Sequence, residues 1–413
     1  MQSINYKSFI INYWPCFLVV LAFFGFISKA LYNYPMGVMS LIGLYITLSN
    51  PKILINDNTL KIFLVIFLCI WLPQVISLIN AVNIEHSLKT VIPYLRFLFV
   101  GIFFLVFISK DKEKIDFIVK SVFFLIIFWT VDASIQFFYK KDIFGFPWEA
   151  GHITGIFYPR NTISHICAIL SSFLFLYIYN NINYKKTMLL SLVPLFFIIL
   201  ISGRRAAWVM LALTSFSFLI YGFIFCENKR FFLKIVSTAI VFISIVFGTV
   251  ISSHQPLKTR IIATQGLFSN NYESFNVATA YRLPIWETAY VIFKKNAVFG
   301  IGPRGFRHAY ENYAKPDDIF VKSNVPPTQP HLLLLEIMCE TGLVGLMGYF
   351  FALFFLFKFV FQQKTKKHLL PYFIPVVVAL FPLNAHMAFY GSIWASMIWL
   401  LTSLCFAKAK NMV

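Results

Sequence analysis

Residues 187–225 read TMLLSLVPLFFIILISGRRAAWVMLALTSFSFLIYGFIF, two apolar runs joined at Ser202-Gly203-Arg204-Arg205. Each run is close to the length at which a helix rising about 1.5 Å per residue crosses a hydrocarbon core about 30 Å thick. Only a few residues separate them, so the pair reads as a helical hairpin that crosses a membrane twice. Its tip is unusual, because it carries two adjacent guanidiniums.

The same texture runs through all 413 residues. Hydrophobic residues make up 59% of the chain and charged residues only 12%, with a mean hydropathy of +0.76. A soluble domain carries about 25% charged residues. About twelve apolar spans are expected, near 9–28, 33–49, 61–80, 91–108, 117–137, 162–179, 187–202, 206–225, 232–252, 331–360, 369–384 and 390–407. The fold class is therefore an all-α polytopic membrane protein. The first run lacks a small-residue cleavage site and leads at once into another span, so it reads as an anchor and not as a removable signal. The six cysteines (Cys16, Cys69, Cys167, Cys226, Cys339, Cys405) are scattered, without CxxC spacing, and read as small core residues.

A net charge of +19 raises the question of nucleic acid. The lysines answer it, because they fall in short connectors: SKDKEKID (109–116), NYKKT (183–187), ENKRFFLK (227–234) and QQKTKKH (362–368). Cytoplasmic loops of membrane proteins carry this excess. No basic, aromatic-interleaved soluble module exists to hold a nucleic acid. With these connectors inside, both termini are cytoplasmic. The intervening connectors, LYNYP (31–35), NAVNIEHS (80–87) and PLNAHMAFY (382–390), face outward and are poor in lysine. Arg204 and Arg205 then lie on the outer face.

Two outer segments are longer, 139–161 and 253–330, and connections of such length are usually functional or disordered. The second divides the chain into residues 1–252 with nine spans, a large outer loop at 253–330, and residues 331–413 with three more. Within the loop, RLPIWETAYVIFKK places Leu283, Trp286, Ala289, Tyr290 and Phe293 near helical spacing. That pattern predicts an amphipathic helix at the outer membrane face.

Two readings of Arg204 and Arg205 are open: snorkelling to lipid headgroups, or an anion site. Arginine holds phosphate through a planar, bidentate fork and stays charged at physiological pH. Arg160, Arg282, Arg304 and Arg307 add outer basic charge, and the large loop carries nine Lys/Arg against five Asp/Glu. Such a basic bowl above a membrane bundle suits a phosphorylated lipid. His331 ends the loop where a span begins. A histidine there is a helix cap or a structural hydrogen-bonder, or, with an unperturbed pKa of about 6.5, a general base. His86, His152, His254, His308 and His386 compete with it on chemistry alone. No Walker loop, HExxH or DxD pair is present, and outer carboxylates are scarce, so neither a nucleotide nor a carboxylate-held metal is expected.

At these residues the sequence resembles the O-antigen ligase/polymerase superfamily of bacterial envelope glycosyltransferases, and within it the O-antigen ligases. SGRRAAW looks like the family's Ser/Thr-Gly-x-Arg-Ala/Gly turn and places its arginine on Arg205. RLPIWETAYVIFKKNAVFGIG is similar to the outer "R…W…G-x-G" stretch, with Arg282 as the second arginine and Gly300 and Gly302 closing it. HLLLLEIMCETGLVG resembles the His-led motif and places the catalytic histidine on His331. Leu332 stands where family members commonly carry Asn. GIFYPRNTISHICA matches at Asn161, and Arg96 falls where a basic residue is common in the fourth span.

The resemblance implies a GT-C-like architecture in the bacterial inner membrane, with the large loop and active site periplasmic. It implies a metal-independent, inverting transfer of a glycan from undecaprenyl pyrophosphate, without cofactor or nucleotide. In the ligase version the acceptor is a sugar hydroxyl of lipid A–core, in lipopolysaccharide biosynthesis. His331 would be the base. Arg205 and Arg282, with Arg204 and Arg160, would hold the pyrophosphate, and Asn161, Glu336 and Arg96 would support them. Two competing functions are an O-antigen polymerase using the same donor and a transporter of lipid-linked glycan. The second would leave the matched histidine idle.

Overall fold

The computed structural model describes residues 6–149, 152–181, 186–253, 255–385 and 387–412. These form helices and connectors; the only β-bridges among them are the isolated pairs Lys141–Pro147 and Glu149–His152. Eight helices are long and apolar enough to cross a membrane: Ile10–Ile27, Asn58–Asn80, Ile84–Ile108, Lys112–Tyr139, Ile163–Asn181, Arg205–Phe225, Leu333–Gln362 and Ser392–Asn411. The protein is an all-helical polytopic membrane protein.

The sequence suggests twelve spans, and the other four stretches are also helical. Asn33–Ser49 has 17 residues, and Lys366–Ala379 has 14 with Pro371 and Pro375 inside it. Thr187–Ile201 is a shorter apolar helix, and Lys229–Ser253 runs for 25 residues. Apolar run length overstates a span wherever proline or a turn cuts the helix inside the run. Ile84–Ile108 starts earlier than hydropathy suggests and is interrupted at Leu95, two residues after Pro93.

Lipid tails are as apolar as leucine, so helices associate here through close packing and interhelical hydrogen bonds of about 1 kcal/mol each. Ser392–Asn411 is the centre of the bundle and is almost wholly buried, with Trp394 and Trp399 among the largest enclosed side chains. Trp399 Nε1 donates to Tyr94 Oη at 3.0 Å, and Trp394 Nε1 to the Ala379 carbonyl at 3.2 Å. Leu333–Gln362 packs along Asn58–Ile76, and Asn33–Ser49 along Arg96–Phe103.

The connectors sort into two ends. At one, Lys410 Nζ donates to Asp57 Oδ2 at 2.5 Å and to the Leu105 carbonyl at 3.0 Å, and Asn411 Nδ2 reaches the Ser109 carbonyl. At the other, Val82 N donates to the Ile301 carbonyl, Arg260 to Ser202 and Leu333 N to Asn384.

Residues 255–322 form five helices: Gln255–Thr264, Tyr272–Ala278, Leu283–Lys295, Phe306–Tyr313 and Ile319–Lys322. A small core of their own gathers Ile285, Ala289, Ile292, Ile301, Phe306 and Tyr310 around Cys339. The expected helix at 282–295 forms, but its buried face is Ile285, Thr288, Ala289 and Ile292, while Tyr290 is exposed. The helix turns this face toward protein, on the Leu333–Gln362 helix and Phe306–Tyr313, so the lipid-facing set drawn from spacing is displaced.

That docking is locked by a break inside Leu333–Gln362. Gly342 sits at φ 65° and ψ −156°. Leu343 N and Val344 N turn away from the helix and donate to the Ala297 and Val298 carbonyls at 2.8 and 3.2 Å. In return, Ile301 N and Gly302 N donate to the Cys339 and Glu340 carbonyls at 3.0 and 2.9 Å. A Cβ at Gly342 would lie 2.4 Å from the Val298 carbonyl oxygen. The stretches AVFGIG and ETGLVG are thus two halves of one interlock.

Gly342→Ala is expected to lower stability by at least about 2 kcal/mol, from left-handed backbone strain and collision with a carbonyl. Gly37→Ala, with open space around its Cα, is expected to be neutral or slightly stabilising. Thermal unfolding of detergent-purified variants, followed by size-exclusion fluorescence, checks the contrast.

Candidate functional site

The SGRR tip is shaped by an arginine from another segment. Gly203 has φ 61°, and a Cβ there would come within 1.8 Å of Arg260 Nη1. Arg260 lies across this glycine and donates from Nη1 to the Ser202 carbonyl at 3.0 Å. Trp208 Nε1 clamps the turn from below by donating to the Ile199 carbonyl at 2.9 Å. Arg204 precedes the Arg205–Phe225 helix, so both guanidiniums stand at the positive end of a helix dipole.

Arg282 likewise precedes Leu283–Lys295, whose early Pro284 suits a first turn. Ala280 and Tyr281 before it are left-handed, with φ 58° and 59°. Non-glycine residues in that region cost about 1 to 3 kcal/mol each and cluster at functional sites.

The two helix starts meet in a cavity of about 480 Å³, lined by Arg204, Arg205, Arg260 and Arg282. Among the described residues no Asp or Glu lines it. Deeper in, the wall turns apolar through Val209, Met210, Leu213 and Val378. Desolvation first, then Arg204 and Arg205, holds the Arg282 guanidinium below its usual pKa. Desolvation and Arg260 do the same to Arg204. Arg205 Nη1 is buried with no hydrogen-bond partner among the described residues. Cations crowded onto helix N-termini, above an apolar wall, make a receptor for an amphiphilic anion.

Arg204 and Arg205 differ in their surroundings. With the Asn161 amide turned to satisfy both its neighbours, its oxygen accepts from Arg204 Nη2 at 3.0 Å and Nε at 3.2 Å. The same oxygen faces His152 Nδ1 at 3.0 Å. Desolvation, then Arg204 and Arg260, pushes the His152 pKa down. Asn161 therefore braces Arg204, and Arg205 keeps an open donor.

His331 directly precedes a residue of this cavity's wall. Leu332, its neighbour, lines the wall. His331 has a left-handed backbone, φ 52°, and its Nδ1 meets Gln329 Nε2 at 3.1 Å. The helix after it is seated by Leu333 N and Leu334 N, which donate to the Asn384 and Pro382 carbonyls at 2.9 and 3.1 Å. Leu332 offers no amide, but Asn384 brings one to the same cavity.

Five expected participants are elsewhere. Arg160 donates from Nη2 to the Phe26 carbonyl at 3.1 Å and does not line the cavity. Arg96 reaches Asn33 Oδ1 at 2.9 Å and Ser392 Oγ at 2.7 Å, tying three helices together. Glu336 is buried and accepts the Phe389 and Tyr390 N–H groups at 3.0 and 3.3 Å, so it holds a loop. Arg304 and Arg307 join a separate group beside Glu340. Among the competing histidines, His86 and His308 face each other with ring centroids 5.1 Å apart. His254 and His386 lie outside the described residues. Sequence reading missed Arg260, Gln329 and Asn384; only Gly203, whose missing side chain makes room for Arg260, hinted at the first.

Residues 190–350, which run from before the SGRR tip to past the Gly342 break, match the family described as O-antigen ligase. Over these residues the chain is similar to that family, a likeness that supports the O-antigen ligase/polymerase superfamily. The matched stretch holds Arg204, Arg205, Arg260, Arg282 and His331, while the 139–161 connector with Asn161 lies outside the match. No curated protein matches the chain.

Inorganic pyrophosphate is expected to raise the melting temperature of the purified protein, because a ligand that binds only the folded state stabilises it. Removing one charge-assisted donor costs about 1.5 to 3 kcal/mol, so Arg282→Ala should weaken this binding at least about tenfold. A titration by differential scanning fluorimetry measures both; equal stabilisation of the two proteins would exclude Arg282 from the anion site.

Proposed function

We propose that the protein is an O-antigen ligase. It transfers O-antigen polysaccharide from undecaprenyl pyrophosphate to a sugar hydroxyl of lipid A–core. Its arginine cavity faces the periplasm, and residues 253–330 form the periplasmic loop between nine spans and the last three. The observation that carries this reading is the cavity lined by four arginines and, among the described residues, by no carboxylate, with an apolar wall that includes Leu332 next to His331.

The roles follow from charge. His331 takes the proton of the acceptor hydroxyl while its oxygen attacks the anomeric carbon. The bond from that carbon to the pyrophosphate oxygen breaks, with inversion. Arg205, Arg260 and Arg282 stabilise the negative charge that gathers on the departing pyrophosphate, an electrostatic contribution that grows toward the transition state. Arg204, braced by Asn161, shapes the field around them. The donor's own pyrophosphate is the leaving group, so the roles require no nucleotide and no metal.

Gln329 sets a condition on His331. With the Gln329 amide nitrogen against Nδ1, that ring nitrogen accepts and the neutral ring carries its proton on Nε2; base action from Nε2 needs the amide turned so that its oxygen accepts from Nδ1–H. Gln329→Glu keeps an acceptor there and should retain activity, whereas Gln329→Ala should lower kcat about tenfold or more. His331→Ala should abolish transfer while membrane insertion persists.

The cellular test is the lipopolysaccharide of a deletion strain. Ligase loss leaves complete lipid A–core bare and polymerised O-antigen on its carrier. Core bearing a single O-antigen repeat would sink the ligase reading and support a polymerase with the same donor. Transfer of labelled glycan in proteoliposomes, at wild-type rate in His331→Ala, would remove the histidine from the mechanism.

A further inference from the structure

A second basic group lies outside the arginine cavity, where the 80–89 and 301–308 segments are knitted together. Ser87 Oγ donates to the Pro303 carbonyl at 3.0 Å, and Asn80 Nδ2 to the Gly300 carbonyl at 2.8 Å. On this seam Arg304, Arg307 and Lys89 all face His86, whose ring meets that of His308 edge to face at 5.1 Å. Lys89 is ion-paired with Glu85. Glu340 lies beneath the group: its Oε2 accepts the Arg304 backbone N–H at 2.6 Å, and it also attracts Arg307.

One feature marks this arrangement as strained, and two more leave positive charge in it that an anion would answer. Arg304 holds a left-handed backbone at φ 61°, a strained state for a side chain with a Cβ. Arg307 and His308 fall in the first turn of Phe306–Tyr313, the positive end of that helix, where cations are disfavoured. Arg304 Nη1 and Arg307 Nε are buried without a hydrogen-bond partner among the described residues. Of all these groups, none lines the four-arginine cavity.

We propose that Arg304, Arg307, His86 and His308 form a second phosphate site, which takes a phosphate group of the acceptor glycolipid. The proposal rests on the transfer reading for the word acceptor, and on the seam alone for the phosphate. The donor's pyrophosphate and the acceptor's phosphate then occupy different receptors. Both border the Leu333–Gln362 helix: Leu332 before it lines the first, and Glu340 within it underlies the second.

The test begins without chemistry. In an Arg282→Ala background, which weakens the first site, inorganic phosphate should still stabilise the purified protein. Adding Arg307→Gln should weaken that residual effect at least about tenfold. His308→Gln, on an exposed residue, serves as the second variant and should weaken it severalfold. Residual stabilisation that ignores both changes would overturn the site, whatever the protein transfers. The source is separated by two further arms. Phosphatase treatment of the acceptor should raise its KM for the wild-type protein and leave Arg307→Gln indifferent. If acceptor phosphate made no difference, while phosphatidylglycerol nanodiscs abolished the phosphate effect and phosphatidylcholine nanodiscs did not, the occupant would be a bilayer headgroup and the acceptor assignment would fall.

Discussion

Four guanidiniums share one cavity and no carboxylate answers them. Repulsion among like charges in a partly desolvated space works against folding, and the structure around them holds each one in place. Arg260 is pinned to the Ser202 carbonyl, Arg204 is braced by Asn161, and Arg282 is fixed by the start of its helix. Two helix N-termini point their partial positive charge the same way. A cavity of this kind suits a ligand that joins a phosphate to an apolar tail, and the proposed function rests on that match.

The strain in the backbone follows the same geography. Besides Lys140 and Asn324, left-handed residues other than glycine occur at Ala280 and Tyr281 beside Arg282, at Arg304 on the seam, and at His331. Each precedes or carries a side chain with a charge or a titratable ring. The membrane-spanning helices instead rely on packing and on hydrogen bonds such as Ser172 Oγ to the Pro371 carbonyl at 2.7 Å. Rigidity below and strain above are two parts of one design, since a strained loop keeps its shape only on a fixed base.

How much of this could be read beforehand depended on what kind of information each residue carried. Arg205, Arg282 and His331 were legible because each stands at a boundary between an apolar run and a polar segment, and a boundary fixes depth in the membrane. Arg160 and Arg96 stand at similar boundaries, yet Arg160 reaches the Phe26 carbonyl and Arg96 ties Asn33 to Ser392. Depth was readable for them; azimuth around the bundle was not. Arg260 and Gln329 depend on contacts between segments far apart in the chain, which no local pattern encodes. Hydropathy likewise gave the helical stretches without fixing how many of them cross, because a helix such as Lys366–Ala379 ends before the apolar stretch around it does.

The most enclosed of the eight membrane-length helices, Ser392–Asn411, carries three of the bonds that hold its neighbours: Trp399 donates to Tyr94, Trp394 donates to the Ala379 carbonyl, and Ser392 accepts from Arg96. A single helix thus serves as a shared partner, and a side chain lost from it loosens several helices at once, whereas one lost from a lipid-facing surface loosens none.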